Sequence, residues 1–282
     1  MSPTQAVAAD WDRGLTTILE RCARRWSLHI GRLLPCGQSS RVFACTDQRG
    51  RAAVIKVVAH EAGAALEAAA LRIWNGRGAP RLLGFAGEDG ALLLERLRPG
   101  THLPAGADAQ AIQRVKGTLA GLHACRPQRG HSFPSLVRFL DSYWDWVLAD
   151  GQAGTAGLEL LDQSRAAAAQ LCRSAQQNVL LHGDFIDKNL LLGAGGFVAV
   201  DPIPRVGDPC SDVGFYAAYH PPASAIAARA RAFGRAVGYD AERCARWAAV
   251  WAAGEAAETW RTDSAELQVW MRSAEARSLL EA

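Results

Sequence analysis

The sequence lacks the cysteine patterns that mark disulfide-bonded domains and zinc sites. It has seven cysteines, an odd number, and no two of them form a C-x-x-C pair. Disulfide frameworks and zinc ribbons depend on paired cysteines at regular spacings. We therefore expect free thiols and a cytoplasmic protein.

Long apolar segments are also missing from the sequence. No apolar run approaches the roughly 18 to 20 residues that a membrane-spanning helix needs. The N-terminal stretch has neither the basic region nor the apolar region of a signal peptide, so we expect none. These features favour a globular protein with no membrane partner.

An excess of charge of one sign is absent as well. The chain carries 31 lysines and arginines against 28 aspartates and glutamates, which gives a formal net charge of +3. Basic residues do not cluster with aromatic residues, as they do on nucleic-acid-binding surfaces. We therefore expect no nucleic-acid partner, and the net charge says little else about partners. The small-molecule partner is expected from the motifs below, and the oligomeric state stays open, with a monomer favoured.

The chain is long enough and apolar enough for two packed regions. Its 282 residues are 49% hydrophobic, which excludes a disordered chain and suits two lobes. Hairpins are predicted over 41–59 and 81–97, with a single helix over 61–74 between them. Helical periodicity then takes over. We expect an α+β fold with a small β-rich N-lobe (1–97) and a larger, mainly helical C-lobe (98–282).

The strongest chemical pattern lies around three short apolar runs in the predicted C-lobe, at 179–181, 190–192 and 197–200. Asp184 follows the first run, Asn189 precedes the second and Asp201 follows the third. The second and third runs are expected to pair as a hairpin, which brings the three polar side chains together. Single Asp and Asn residues are common in turns. The complete spacing H-G-D-x-x-x-x-N…D, however, favours phosphoryl transfer, with oxygen ligands for Mg²⁺ and a carboxylate for an attacking hydroxyl.

A lysine inside an apolar strand of the predicted N-lobe is a candidate phosphate ligand. Lys56 lies in this strand, and Glu67 follows on the predicted helix. Protein kinases use such a pair to hold the ATP phosphates; the alternative is an edge-strand lysine whose ammonium group reaches water. Upstream, Ser39 and Ser40 lie in a loop that would cover the phosphates. This loop is not G-x-G-x-x-G, and no G-K-[ST] occurs in the chain.

These residues together resemble a known family, the aminoglycoside phosphotransferases. The resemblance rests on the order Gly37-x-Ser39-Ser40, Lys56, Glu67, His182-Gly183-Asp184…Asn189 and Asp201-Pro202. Segments 74–84 and 201–209 look like the streptomycin 6-phosphotransferase and hydroxyurea phosphotransferase branch of that family. The similarity extends from about Arg24 to Tyr219 and leaves the last helices without a specific match.

The resemblance implies a bilobal, protein-kinase-like fold and a phosphotransferase that uses ATP (GTP is the alternative) with Mg²⁺. It implies Asp184 as the catalytic base, Asn189 and Asp201 as Mg²⁺ ligands, and Lys56, held by Glu67, as the ligand of the α/β-phosphates. It also implies that the backbone from Leu94 to Arg96 would face the adenine, whereas Ser39 and Ser40 are expected over the phosphates from the loop sequence itself. The same resemblance makes Asp212 a support of the catalytic loop rather than a reactant. Separately, we expect His182 to orient the catalytic loop through a hydrogen bond rather than to react.

Acidic and aromatic residues are candidates for the acceptor site, because an aminoglycoside is polycationic. Asp187 lies beside the proposed base, in a segment where this chain departs from the Leu-His-x-x of the family. Glu255 and Glu258 share one helix face, with Trp251 a turn earlier. The alternative for this helix is a solvated face with a core tryptophan.

The favoured function is therefore an ATP-dependent kinase that phosphorylates streptomycin at its 6-hydroxyl and confers resistance by inactivation. One alternative keeps the chemistry and changes the acceptor to hydroxyurea, another antibiotic or a small metabolite such as choline or a sugar. A second alternative is a nucleotide-binding pseudokinase that serves as an interaction module. The presence of every catalytic residue argues against the pseudokinase, because degenerate kinases usually lose one.

Overall fold

The chain forms two compact units. The computed structural model describes residues 3–36, 39–127, 130–149, 155–257 and 264–282. The first unit comprises Met1–Gly76 and Pro80–Gly100, and the second comprises Arg77–Ala79 and Thr101–Ala282.

A five-stranded antiparallel sheet of order β1-β2-β3-β5-β4 forms the centre of the first unit. Its strands are β1 (Leu28–Leu33), β2 (Ser40–Asp47), β3 (Ala52–Val58), β4 (Leu82–Ala86) and β5 (Ala91–Glu95). Both predicted hairpins are confirmed, since β2 pairs with β3 and β4 pairs with β5. Alternate residues of β3 (Ala53, Ile55 and Val57) are buried in a hydrophobic core of this unit.

The first unit contains two helices among its described residues, so the prediction of a single helix in this region is wrong. The unpredicted helix, α1, spans Pro3–Trp26, and α2 spans Glu61–Trp74 as predicted. Apolar residues of α1 lie at helical spacing and pack on the sheet: Leu15, Ile18, Leu19, Cys22 and Trp26. The first half of α1 has few large apolar residues, so the sequence gives only a weak helical pattern there.

The second unit is mainly helical, as the periodicity predicts. Its helices are α3 (Ala109–His123), α4 (Leu136–Ala149), α5 (Thr155–Arg173), α6 (Cys210–Tyr219), α7 (Ile226–Val237), α8 (Ala241–Ala257), α9 (Ser264–Met271) and α10 (Ala274–Glu281). Helix α8 packs against α5, α6, α7 and α9 and buries Trp247 completely. Among the described residues, no helix combines the length and the apolar character required to cross a bilayer.

Two small antiparallel sheets lie between α5 and α6 in the chain. Strand β7 (Leu190–Gly193) pairs with β8 (Gly196–Ala199), which confirms the predicted hairpin. Strand β6 (Val179–Leu181) pairs with β9 (Arg205–Gly207), a pairing that the sequence did not predict. Strand β9 is short and follows Pro202 and Pro204, and prolines weaken the pattern by which a strand is recognised.

The contact between α6 and α8 predicts a stability effect at Gly214. A Cβ atom at this position would lie 2.6 Å from Trp247 Cβ and 2.7 Å from the Ala248 nitrogen. We expect Gly214→Ala to lower the free energy of unfolding by about 1 to 3 kcal/mol, because the helices must move apart. Urea unfolding followed by circular dichroism measures this change.

Gly117 provides the matched control within α3. A Cβ atom there meets nothing within 4 Å, so Gly117→Ala should leave stability unchanged or raise it by up to about 1 kcal/mol. If both variants lost the same free energy of unfolding, the effect at Gly214 could not be assigned to the α6–α8 contact.

Candidate active site

The loop between β6 and β7 places Asp184 at a sharp bend of the backbone. Residues 187–189 form one turn of 3₁₀ helix, and the Asn189 nitrogen donates to the Ile186 oxygen (3.0 Å). Gly183, directly before Asp184, has φ +78°, and a Cβ atom on it would lie 2.1 Å from the Ile203 oxygen. Only glycine fits this conformation and this space. The bend therefore depends on the G of the H-G-D motif.

Asp184 and Asn189 contact each other directly. Asn189 Nδ2 donates to the Asp184 backbone oxygen (2.9 Å) and to Asp184 Oδ2 (2.7 Å). Burial raises the pKa of the Asp184 carboxyl, and the charge of Asp201 raises it further, against the lowering effects of Lys188, Asn189 and Arg205. The loop thus presents a half-buried carboxylate with one oxygen fixed by an amide.

Asp201 reaches the same region through the β7–β8 hairpin. The Val200 nitrogen donates to the Asn189 oxygen (2.8 Å), so the two ends of the hairpin are bonded next to Asp201. Asp201 adopts a left-handed conformation with φ 60°, which is uncommon outside glycine and Asn or Asp. The structure therefore brings Asp184, Asn189 and Asp201 together, as the sequence spacing suggests.

The donor atoms at this position suit a hard divalent cation. Both hydrogen bonds of Asn189 to Asp184 use its amide nitrogen, which leaves the amide oxygen as a donor atom for a metal, beside the Asp201 carboxylate. Mg²⁺ prefers oxygen ligands and commonly takes one or two protein carboxylates with phosphate oxygens and water. The residues present therefore fit Mg²⁺ bound together with a nucleotide.

The carboxylate of Asp212 supports the loop through buried hydrogen bonds. Its Oδ2 accepts from the His182 nitrogen (2.8 Å) and lies 3.0 Å from His123 Nε2, and its Oδ1 accepts from the Gly183 nitrogen (3.0 Å). Burial alone would raise the pKa of Asp212, but the bond from His123 and the nearby charges outweigh it and hold this pKa below the ordinary value. The carboxylate thus stays ionised inside the unit.

His182 is buried beside the loop and contacts Asp184 through the backbone. Its Nδ1 accepts a hydrogen bond from the Asp184 nitrogen (3.3 Å), and its ring meets the edge of Phe185. His182 is fully buried. The ring of His182 therefore contacts the loop through the Asp184 nitrogen and Phe185.

In the first unit, Lys56 and Glu67 form a buried ion pair. Lys56 Nζ lies 2.8 Å from Glu67 Oε1 and 2.6 Å from Oε2. Their side chains are each only 6% exposed, so Lys56 does not reach water from an edge strand. Strand β3 lies between β2 and β5, and α2 supplies the carboxylate.

The other residues expected to contact the nucleotide also lie in the first unit. Ser39 is exposed and Ser40, buried, begins β2, whereas Gly37 lies outside the described residues. Leu94 is paired on both sides, with Val54 of β3 and Leu82 of β4. Arg96 is half-buried and follows the end of β5.

The residues expected to contact the acceptor differ in their burial and in their hydrogen-bond partners. Trp251 is buried, and its indole nitrogen donates to the backbone oxygen and to Oγ of Ser211 (3.1 Å each). Glu255 is only 5% exposed, so it is not part of a solvated helix face. Asp187 accepts from the Lys188 nitrogen (2.8 Å) and lies 3.5 Å from His220 Nε2. Glu258 lies outside the described residues.

Buried polar and charged residues around the loop include some that sequence reasoning missed. His123 lies far from the motif in the chain and carries no local signal, yet it contacts Asp212. Arg205 stands between two motif residues, Asp201 and Asp208, where an arginine after a proline reads as an exposed loop residue. Asp208 Oδ2 accepts from the indole nitrogen of Trp247 (2.6 Å), and the Gly-Asp-Pro sequence before α6 was its only signal.

Most of the chain matches the sequence model of one protein family. The sequence model of the family described as "Aminoglycoside/hydroxyurea antibiotic resistance kinase" matches residues 25–264. A hydroxyurea phosphotransferase from Kitasatospora aureofaciens is 32% identical over 213 residues, which are 72% of this chain and 61% of that protein. A streptomycin 6-kinase from Streptomyces griseus is 30% identical over 212 residues, 72% of this chain and 66% of that protein. The chain therefore matches less than two thirds of the length of these relatives.

A solved structure supports the fold independently of sequence similarity. The crystal structure of a choline/ethanolamine kinase family protein from Mesorhizobium loti has a TM-score of 0.66 with this chain at 13% sequence identity. The match covers 89% of this chain and 92% of the other. This likeness confirms the expected α+β, protein-kinase-like fold.

The contacts of Asp212 predict a pH-dependent contribution to stability. We expect Asp212→Asn to lower the free energy of unfolding by about 2 to 4 kcal/mol at pH 7, because an amide cannot accept from three donors at once. The folded-state pKa of Asp212 is lowered, so the contribution is present above the ordinary carboxyl pKa and is lost as the pH falls through the folded value. The difference in free energy of unfolding between wild type and Asp212→Asn should therefore become smaller as the pH is lowered.

Urea unfolding at pH 7 and at several lower pH values measures this difference. Asp162→Asn is the matched control, because Asp162 is an exposed aspartate on α5 and its substitution should change stability by less than about 0.5 kcal/mol. A difference for Asp212→Asn that stays constant with pH would show that the ionised carboxylate is not what stabilises the loop.

Proposed function

The chain belongs to the aminoglycoside/hydroxyurea antibiotic resistance kinase family, and from this premise we propose that it transfers the γ-phosphoryl group of ATP to a hydroxyl of a small antibiotic. The observation that carries the proposal is the convergence of Asp184, Asn189 and Asp201 at one loop and hairpin end of the second unit. A carboxylate for the hydroxyl and oxygen donors for a cation are the groups that phosphoryl transfer requires.

Asp184 is proposed as the catalytic base. Asn189 fixes Oδ2 of Asp184, so Oδ1 is the oxygen proposed to accept the hydrogen bond of the acceptor hydroxyl. The acceptor oxygen forms its bond to the γ-phosphorus as the bond to the leaving ADP oxygen breaks, and the hydroxyl proton passes to Asp184. Mg²⁺, bound by Asn189 and Asp201, would neutralise phosphate charge during transfer.

The first unit is proposed to bind the rest of the nucleotide. Lys56 would contact the α- and β-phosphates, and Glu67 would hold its ammonium group in place, since both its oxygens already contact Nζ. Ser39 and Ser40 would cover the phosphates, and the backbone from Leu94 to Arg96 would face the adenine. GTP is the alternative donor. Because the reaction consumes ATP, we propose the cytoplasm as its location.

Streptomycin, phosphorylated at its 6-hydroxyl, is the proposed acceptor, and inactivation of the antibiotic is the proposed biological role. Similarity to a streptomycin 6-kinase supports this choice. The proposed contacts for the cationic groups of streptomycin are Asp187, Trp251, Glu255 and Glu258, the last of which lies outside the described residues. A second candidate acceptor is hydroxyurea, which is favoured by the 32% identity to a hydroxyurea phosphotransferase.

The proposed reaction predicts that Asp184 is essential for turnover. We expect Asp184→Ala to reduce kcat by about 10²- to 10⁴-fold, because the variant lacks the general base. ATP should still bind to the variant. The measurement is coupled ADP release with ATP and Mg²⁺ across streptomycin, other aminoglycosides, hydroxyurea and choline, with ATP affinity measured by calorimetry. Asp162→Ala, at an exposed aspartate, is the control and should keep full activity.

The outcomes of this panel separate the candidates. Turnover on streptomycin that is lost in Asp184→Ala supports the first acceptor, and turnover on hydroxyurea alone supports the second. An active Asp184→Ala variant would overturn the assignment of the base. Nucleotide binding by the wild type without turnover on any acceptor would contradict the proposed reaction and favour an interaction module of the same fold.

The proposed metal ligand Asp201 predicts a change in Mg²⁺ dependence. We expect Asp201→Ala to raise the Mg²⁺ concentration for half-maximal activity by about tenfold or more, or to abolish activity, because a carboxylate ligand is removed. A Mg²⁺ titration of ADP release at saturating ATP tests this expectation. An unchanged titration curve would exclude Asp201 as a ligand.

A further inference from the structure

Arg205, the first residue of β9, is a buried cation next to the loop that carries Asp184. Only 1% of its surface is exposed. Burial lowers the pKa of Arg205 to about 10, and the charges of Asp212 and Asp184 partly oppose this effect. The guanidinium group therefore remains charged at neutral pH.

The contacts of Arg205 are with backbone oxygens and an aromatic ring. Nη2 donates to the Gly183 oxygen (2.5 Å) and Nε donates to the Ile203 oxygen (3.2 Å). Its Cζ lies 3.4 Å from the ring centroid of Phe139 on α4, which fixes the plane of the guanidinium group. Among the described residues, Nη1 has no hydrogen-bond partner.

The peptide groups of Gly183 are thus held at both ends by buried charges of opposite sign. Asp212 Oδ1 accepts from the Gly183 nitrogen at 3.0 Å, and Arg205 donates to the Gly183 oxygen at 2.5 Å. Gly183 directly precedes Asp184, so the rotation of its peptide groups decides the direction of the Asp184 side chain. Fixing both groups removes that freedom.

Stability alone does not explain a buried arginine at this position. Removing an ion from water is costly, and a buried ion pair replaced as a whole by apolar residues of similar volume often loses no stability. Strand β9 needs no charge to pair with β6, since backbone bonds form that pair. The feature that an apolar residue cannot supply is the donation to the Gly183 oxygen.

We propose that Arg205 is a positioning residue, which holds the Gly183 oxygen and thereby directs the Asp184 carboxylate toward the acceptor hydroxyl. Phe139 is part of the same device, because its ring keeps the guanidinium plane aligned with that oxygen. This inference rests on the function proposed above, in which Asp184 is the base.

Steady-state kinetics of Arg205→Met tests the proposal. Methionine keeps the apolar length and removes the donors, so we expect kcat to fall about 10²-fold, as for a misplaced reacting group, with KM for ATP and acceptor within about threefold of wild type. The melting temperature should fall, as for the control below, because the Gly183 and Ile203 oxygens lose their buried donor, so kcat is compared per folded molecule. Arg205→Lys should recover part of kcat, since an ammonium group can donate to the Gly183 oxygen without the planar stacking.

Arg229→Met is the matched control for removal of a buried guanidinium group. Arg229 is also buried, and its Nη2 and Nε donate to the Ala217 oxygen (2.9 and 3.1 Å). Its other hydrogen bonds within the described part of the chain go to the backbone oxygens of His220, Pro221 and Pro222, and none goes to the loop itself. This variant should lower the melting temperature while kcat per folded molecule stays within about threefold of wild type. The positioning role is wrong if the kcat of Arg205→Met, calculated per folded molecule, stays within about threefold of wild type.

Amide hydrogen exchange keeps the test independent of turnover. We expect faster exchange at the Gly183 and Asp184 amides in Arg205→Met and in Phe139→Leu, but not in Arg229→Met, because the loop loses its hold on the Gly183 oxygen. If the wild type phosphorylates no acceptor in the panel, the proposed reaction fails, and exchange at these amides still decides the role of Arg205. Unchanged exchange in Arg205→Met would overturn the inference.

Discussion

One buried carboxylate, that of Asp212, is the constraint on which the loop of the second unit depends. Deep in the unit, this anion is stabilised by the backbone of His182 and Gly183 and by the ring of His123, instead of by water. The bonds act in both directions, since donors that satisfy the carboxylate are themselves fixed by it. His123 is held in turn, because its Nδ1 lies 2.9 Å from the Tyr239 hydroxyl. The geometry of a short loop is therefore set by side chains from distant helices.

The first unit uses the same kind of constraint for a different purpose. The buried pair of Lys56 and Glu67 contributes little net stability by itself, because desolvation of two ions offsets their attraction. What the pair does provide is a lysine ammonium group in one fixed place, since both carboxylate oxygens contact Nζ. In both units, the cost of burying charge is accepted where a charged or polar group has to be held in a defined position.

Sequence reasoning succeeds here where neighbours in space are also neighbours in the chain. The hairpins, helix α2 and the convergence of Asn189 with Asp201 all depend on short-range pairing, which alternation and turn residues reveal. The β6–β9 pairing and the contact of His123 with Asp212 join residues that are far apart in the chain, and no local pattern encodes them. Arg205 is the clearest case, because only the tertiary position of Phe139 distinguishes it from an exposed loop arginine.

The buried charges also bear on how relatives about 30% identical to this chain can be named for acceptors as different as streptomycin and hydroxyurea. The groups proposed for phosphoryl transfer contact one another and the core, so changing any of them disturbs several bonds at once. Trp146, farther along α4, is less constrained, because it stacks on Tyr143 and is 54% exposed. A surface of this kind can change to suit a new acceptor while the loop that carries Asp184 keeps its bonds. Selection for a new acceptor should therefore act on such exposed side chains before it reaches the buried charges.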